Sequence, residues 1–175
     1  MEAWFNRHIA FPLACKLMSW KNACEMFQRE GWLILQMADM IPSEKIDQPV
    51  LIPRISGIED SSRNWSPAMV MEHLMIVGRQ ICQGVISLSH GQKPTKKADI
   101  AAVKPHGGHG REIIAEFRAF LSEYSSMIEE RVGSHISRTT FPHPWFGELT
   151  AFQWLVLAAI HQRIHRRQLE RILHA

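Results

Sequence analysis

The chain lacks any pairing of its cysteines that could serve as a framework. Cys15, Cys24 and Cys82 are odd in number, have no C-x-x-C spacing and fall within helical periodicity, so they are expected as free thiols in a reducing compartment. No stretch of about 18 uncharged apolar residues exists to span a bilayer. Lys16 interrupts the first apolar run before it could act as a signal peptide, so a cytoplasmic location is expected. A block of one charge is missing too: 20 Lys and Arg stand against 17 Asp and Glu, and the net +3 is scattered, which gives nucleic acid little to hold. Membrane and nucleic acid are therefore excluded as expected partners, and a small molecule is left. Repeats, low-complexity tracts and sustained strand alternation are also absent, which excludes solenoids and sheet folds.

What is present is helical period. At 175 residues and 46% apolar, residues 1–175 read as one domain able to bury a core without disulfide or metal staples. The first ten or so residues, with Trp4 and Phe5, read as an arm packed on it. Leu13, Leu17, Trp20, Cys24, Phe27, Gly31, Ile34, Ala38 and Ile41 advance in alternating steps of four and three, predicting a first helix over 11–40. Gly31 within it costs about 1 kcal/mol relative to Ala, which points to a close helix crossing. Residues 41–65 carry Pro42, Pro49, Pro53 and Gly57 and read as a long connection. Ser66-Pro67 is a cap followed by a first-turn proline, and Val70, Leu74, Val77, Ile81, Val85 and Leu88 form the core stripe of the second helix. His73 lies on the inner edge of that stripe, and Glu72 is about 100° away round the helix.

A second long loop ends in His106-Gly-Gly-His-Gly110. It lacks the lysine and preceding strand of a phosphate loop, and reads as glycine punctuation with exposed imidazoles. The third helix runs from Arg111 to about Val132, with Ile113, Phe117, Phe120, Tyr124 and Met127 inward. Residues 134–147, with Pro142, His143, Pro144 and Trp145, are too rigid and aromatic for a tether. Thr150 then caps a fourth helix from Ala151. Trp154, Leu157, Ala158, His161, Ile164, His165, Gln168 and Ile172 share its inner face, and Arg163, Arg166, Arg167 and Glu170 the opposite one. Four periodic helices without a strand predict an all-α four-helix bundle, whose cores commonly build metal sites from facing helices.

His161 and His165 are one turn apart on one helical face, where two imidazoles can grip one ion. The spacing alone is weak, since ten histidines in 175 residues give about 0.6 such pairs by chance. Direction adds weight: both face the core, where unpartnered imidazoles are costly, and His73 faces inward from another helix. Histidine levels coincide only if the second and fourth helices run antiparallel.

Three motifs in order, Asn64-Trp-Ser-Pro-Ala68 with Glu72-His73-Leu74, then His143-Pro-Trp-Phe-Gly147, then His161-x-x-x-His165-x-Arg-Gln-Leu169, resemble the helical-bundle DinB-like superfamily over about residues 12–173. The resemblance implies an up-down-down-up bundle with a divalent metal, zinc or nickel. It implies His73, His161 and His165 as metal ligands, and the site mouth framed by Trp65, His143, Trp145 and Phe146. Members include thiol-dependent transferases. Three neutral histidines leave an open coordination position, so the expected function is a metal-dependent enzyme. It would be either a transferase using a low-molecular-weight thiol or a hydrolase acting on a small molecule. No carboxylate stands obviously beside the predicted ligands to serve as base, which tilts the reading toward thiolate chemistry. The rival is a non-catalytic bundle with a structural metal or none, acting as a binding or stress-response module. A homodimer is expected as well, through the aromatic arm and first helix rather than the charged face of the last.

Overall fold

Ser19 ends what the periodicity reads as one helix. The computed structural model describes residues 6–95, 99 and 101–175, so Trp4 and Phe5 of the expected arm lie outside the described residues. A π-helical turn, Asn6–Ala10, runs into α1 (Phe11–Leu17), Met18 is extended, and α2 (Trp20–Asp39) begins afresh. The continuous 11–40 helix is therefore corrected. The Ser19 hydroxyl accepts a hydrogen bond from the Asn22 N–H at 3.1 Å, and this cap competes with helix continuation. Leu13 and Leu17, read as core, belong to the separate α1 and are 52% and 74% exposed.

The remaining helices start as their sequences dictate. At α3 (Pro67–Ser89) the Ser66 hydroxyl accepts from the Met69 N–H and Pro67 occupies the first turn. At α5 (Ala151–Leu173) Thr150 and Gln153 form a reciprocal capping box. Between them lies α4 (Glu112–Arg131). The four long helices α2 to α5 close a bundle in which α2 and α3 each pack on both α4 and α5. Side-chain pairs give their directions. Trp20 meets Phe152 and Glu30 meets Arg166, so α2 and α5 run in one sense. Gln28 reaches the Leu121 carbonyl and Asp39 pairs with Arg118, so α4 opposes α2. Ser62 faces Gln168, Trp65 faces His165 and His73 faces His161, so α3 opposes α5. That antiparallel register brings His73 level with His161 across 88 residues of sequence.

Two short antiparallel ribbons staple the loops where no strand was expected. β1 (Val50–Leu51) pairs with β2 (Asn64–Trp65), and β3 (Thr140–His143) with β4 (Gly147–Thr150). The second is a hairpin around Pro144, Trp145 and Phe146, closed by Gly147 at φ 75°. A side chain rarely adopts that conformation, and hairpins of this length commonly place glycine there. A further correction concerns Arg166, expected on the polar outer face of the last helix and found against Glu30. Glu30 is 3% exposed, and Arg166 turns between α2 and α5 to meet it at 2.5 Å while also pairing with Glu170. A carboxylate buried there needs that partner. No helix among the described residues is long and apolar enough to cross a membrane.

Close approach, expected at Gly31, is found there and again at Gly78. A Cβ at Gly31 would come within 2.5 Å of Leu121, and one at Gly78 would fall on the Phe120 ring. Gly84, also on α3, has only Pro94 near it, at 3.9 Å. One substitution should therefore act with opposite signs along one helix. Gly84→Ala is predicted to raise the thermal midpoint through about 0.5–1 kcal/mol of helix propensity. Gly78→Ala is predicted to lower it, because overpacking costs about 1–3 kcal/mol. Circular dichroism melts of the two variants check this, and a gain at Gly78 would contradict the packing described.

Candidate metal centre

Two helices supply three imidazoles, and two loops orient them. The ligand-capable nitrogens of His73 on α3 and of His161 and His165 on α5 all lie within 4.8 Å of one another. His161 Nε2 is 3.2 Å from His73 Nε2 and 3.1 Å from His165 Nε2. The Nδ1 atoms of His73 and His165 are engaged. His73 Nδ1 lies 2.7 Å from the Val103 carbonyl, which can only accept, so Nδ1 carries the proton and Nε2 is bare. His165 Nδ1 lies 2.7 Å from Gln168 Oε1, and Gln168 donates its amide to the Ser62 carbonyl at 2.7 Å. The Ser62 bond fixes which way the Gln168 amide faces, so His165 Nδ1 is also a donor and its Nε2 also bare. Val103 sits in a 3₁₀ turn (Ala101–Val103) and Ser62 in another (Asp60–Ser62), so the α3–α4 connection reaches His73 directly and the α2–α3 connection reaches His165 through Gln168.

Electrostatics keep the cluster uncharged. Burial pushes His73 below the usual imidazole range, against the opposing pull of the Val103 carbonyl and Glu72. Burial holds His161 and His165 well below it, reinforced by their histidine neighbours and, at His165, opposed by Gln168. Neutral imidazole is the form that ligates metals. Nitrogens bonded to a tetrahedral ion at about 2.0–2.1 Å stand about 3.3 Å apart, close to the spacings found. The donor set therefore fits a zinc-like ion.

The other expected site residues divide. Trp65 is buried and walls the cluster, its ring stacked on His165 at 5.8 Å and tilted on His73 at 4.9 Å. His143 lies against Trp154, two turns before His161 on α5, and adds to the field that disfavours a charged His161. Burial lowers its own pKa to about 4. Its Nδ1 accepts from the N–H groups of Trp145 and Phe146 at 3.1 and 3.3 Å, so it organises the hairpin. Phe146 packs on Phe11 and His143, while Trp145 is 46% exposed. The hairpin thus brings His143 toward the cluster, and the rings of Phe146 and Trp145 meet His143.

The His-Gly run is also corrected. Of its two imidazoles only His106 is exposed, and both rings pair with the buried Glu72, at 3.1 and 3.3 Å. Sequence reasoning gave Gln168 no role beyond its inward face, although its place three residues after His165 was a signal. The Val103 and Ser62 carbonyls belong to irregular backbone and left none.

A helical bundle with three imidazoles converging from antiparallel helices, two of them with a bare Nε2, is a protein built so that it could hold one ion. The chain belongs to the DinB superfamily, whose model matches residues 27–169. A solved structure described as a four-helix bundle protein is similar over 87% of this chain and 98% of its own, with a TM-score of 0.58 and 22% identity, a likeness of fold. No curated protein matches the chain. Superfamily and histidine cluster together fit a metal-binding family.

A neutral buried cluster makes the metal-free protein sensitive to mild acid. Histidines of the unfolded chain titrate near about 6.5, and the three in the fold titrate lower. Below that value the unfolded chain takes up protons that the folded one refuses, so stability is predicted to fall between about pH 7 and pH 5 and to be level above. Denaturant titrations of chelator-treated protein across this range check it, and constant stability would show the cluster to be open to protons.

Proposed function

We propose that His73, His161 and His165 bind one divalent ion, zinc or nickel, through Nε2, and that the protein is an enzyme using it on a small-molecule substrate. The observation that carries this is the pair of committed Nδ1 protons, which leaves bare nitrogens aimed at a common point. When bound, such an ion supplies Lewis acidity that stabilises the anion of a water molecule or of a thiol near neutral pH. His161 is half-buried where His73 and His165 are buried, so access runs past His161. Trp65 keeps water from the inner side.

Transfer of a low-molecular-weight thiol is favoured over hydrolysis. Hydrolysis calls for a general base within reach of the attacking water. The two buried carboxylates among the described residues are both committed, Glu72 to the 106–109 loop and Glu30 to Arg166. Without a free base, a nucleophile that ionises more easily than water suits the site. A screen of metal-loaded protein against electrophiles, with and without several thiols, tests the choice. Turnover without thiol would favour hydrolysis, and none under any condition would favour a non-catalytic bundle.

Protein purified without a histidine tag is predicted to carry one exchangeable zinc or nickel per chain by elemental analysis. His161→Ala should lose metal and activity together while far-UV circular dichroism stays helical, and metal retained at full stoichiometry would sink the ligand set. We also propose a homodimer, supported by the outward Leu13 and Leu17 of α1. Light scattering at micromolar concentration should give twice the chain mass of 20.1 kDa, and a monomer mass would dispose of it.

A further inference from the structure

Glu72 immediately precedes a proposed ligand, yet its carboxylate faces a loop. The strap that follows the Ala101–Val103 turn carries Gly107 and Gly108 at φ 75° and 79°, which aims successive backbone N–H groups one way. His106 N and Gly107 N each donate to Glu72 Oε2 at 2.9 Å, and Gly108 N donates to Asp47 Oδ2 at 2.9 Å. The rings of His106 and His109 add contacts to the same carboxylate. These N–H groups could have cradled a foreign anion, but the protein's own carboxylates fill the place. Three residues before His106, the strap presents the Val103 carbonyl that holds the His73 Nδ1 proton. A circuit results: α3 grips the strap through Glu72, and the strap returns to orient His73, the next residue on α3.

We propose that Glu72 is a positioning residue for the three-histidine site, gripping the His106–Gly108 strap so that Val103 fixes His73 as the Nδ1–H tautomer with Nε2 bare. This rests on the metal reading above for its function, though not for its geometry. Without the grip, the turn that carries Val103 keeps its packing on α3 and the bond from Lys104 to Ser61, but loses the hydrogen bonds that tie the strap after it to Glu72. His73 can then move its proton to Nε2, where the lone pair is lost. Outer partners of metal-bound histidines are typically worth 10–100-fold in metal affinity.

The test compares wild type, Glu72→Ala and Glu72→Gln by two readouts. One is zinc affinity, by competition with a chromophoric chelator. The other is histidine tautomer state in the metal-free protein, by 15N-detected nuclear magnetic resonance. Wild type is expected to show His73 and His165 as single Nδ1–H tautomers. In Glu72→Ala, His73 should become a tautomer mixture while His165, held by Gln168, does not change, and zinc affinity should fall about 10–100-fold. Glu72→Gln keeps an oxygen that can accept both strap N–H groups, so it should restore the tautomer and most of the affinity. Gly78→Ala lowers stability elsewhere and should leave the His73 tautomer unmoved. Should Glu72→Ala fail to fold, Glu72→Asp, one methylene short of the strap, takes its place.

An unchanged His73 tautomer in the Glu72 variant overturns the proposal, whether or not affinity falls, because the residue would then act through stability alone. Absence of zinc binding in wild type overturns the metal reading instead. The tautomer comparison, made without metal, would still decide what Glu72 does to His73.

Discussion

The Nδ1 protons of His73 and His165 are given to Val103 and Gln168, which leaves two Nε2 lone pairs facing His161 across 3.2 and 3.1 Å. Three such nitrogens without a cation gain little from one another, since a neutral His161 can donate at most one Nε2 proton to two acceptors. The outer nitrogens of His73 and His165 are satisfied and the inner ones incompletely so, which is the arrangement a cation would complete. Burial adds to this by refusing the protons that would otherwise satisfy the lone pairs.

The rest of the bundle supplies that geometry. Antiparallel α3 and α5 set the histidines at one level, and Trp65 and Gln168 brace His165 from two directions. Close contacts at Gly31 and Gly78 bring α2 and α3 onto α4, so the helix that carries His73 is closely packed from behind. Arg166, next to His165, is tied to Glu30 of α2, which couples α5 to its neighbour. The two long connections, which in a simple bundle need only join helices, each deliver a carbonyl to the cluster's outer rim. Their length has a use in that sense.

Much of this was legible in the sequence. Helical period located the long helices, the Ser66-Pro67 and Thr150 signals placed the starts of α3 and α5, and inward direction separated three histidines from ten. Errors arose where a local bond overrode the period. Ser19 caps a new helix although the apolar steps continue through it, and Leu13 and Leu17 match a stripe whose helix is not there to bury them. Arg166 and Glu30 look like surface charges on a helical wheel, because a wheel does not show that each meets the other across two helices. The role of Glu72 was illegible for a related reason: its partners are backbone N–H groups exposed by two glycines in left-handed conformation, and no side-chain pattern encodes a nitrogen's direction.

X-ray absorption on stoichiometrically zinc-loaded protein would read the proposed site, one ion held by three imidazoles from α3 and α5. One zinc per chain is expected, with imidazole scattering from three nitrogens at about 2.0 Å, and one imidazole fewer in His73→Ala. Zinc surrounded by sulfur or by oxygen alone, or a spectrum that His73→Ala leaves unchanged, would contradict it.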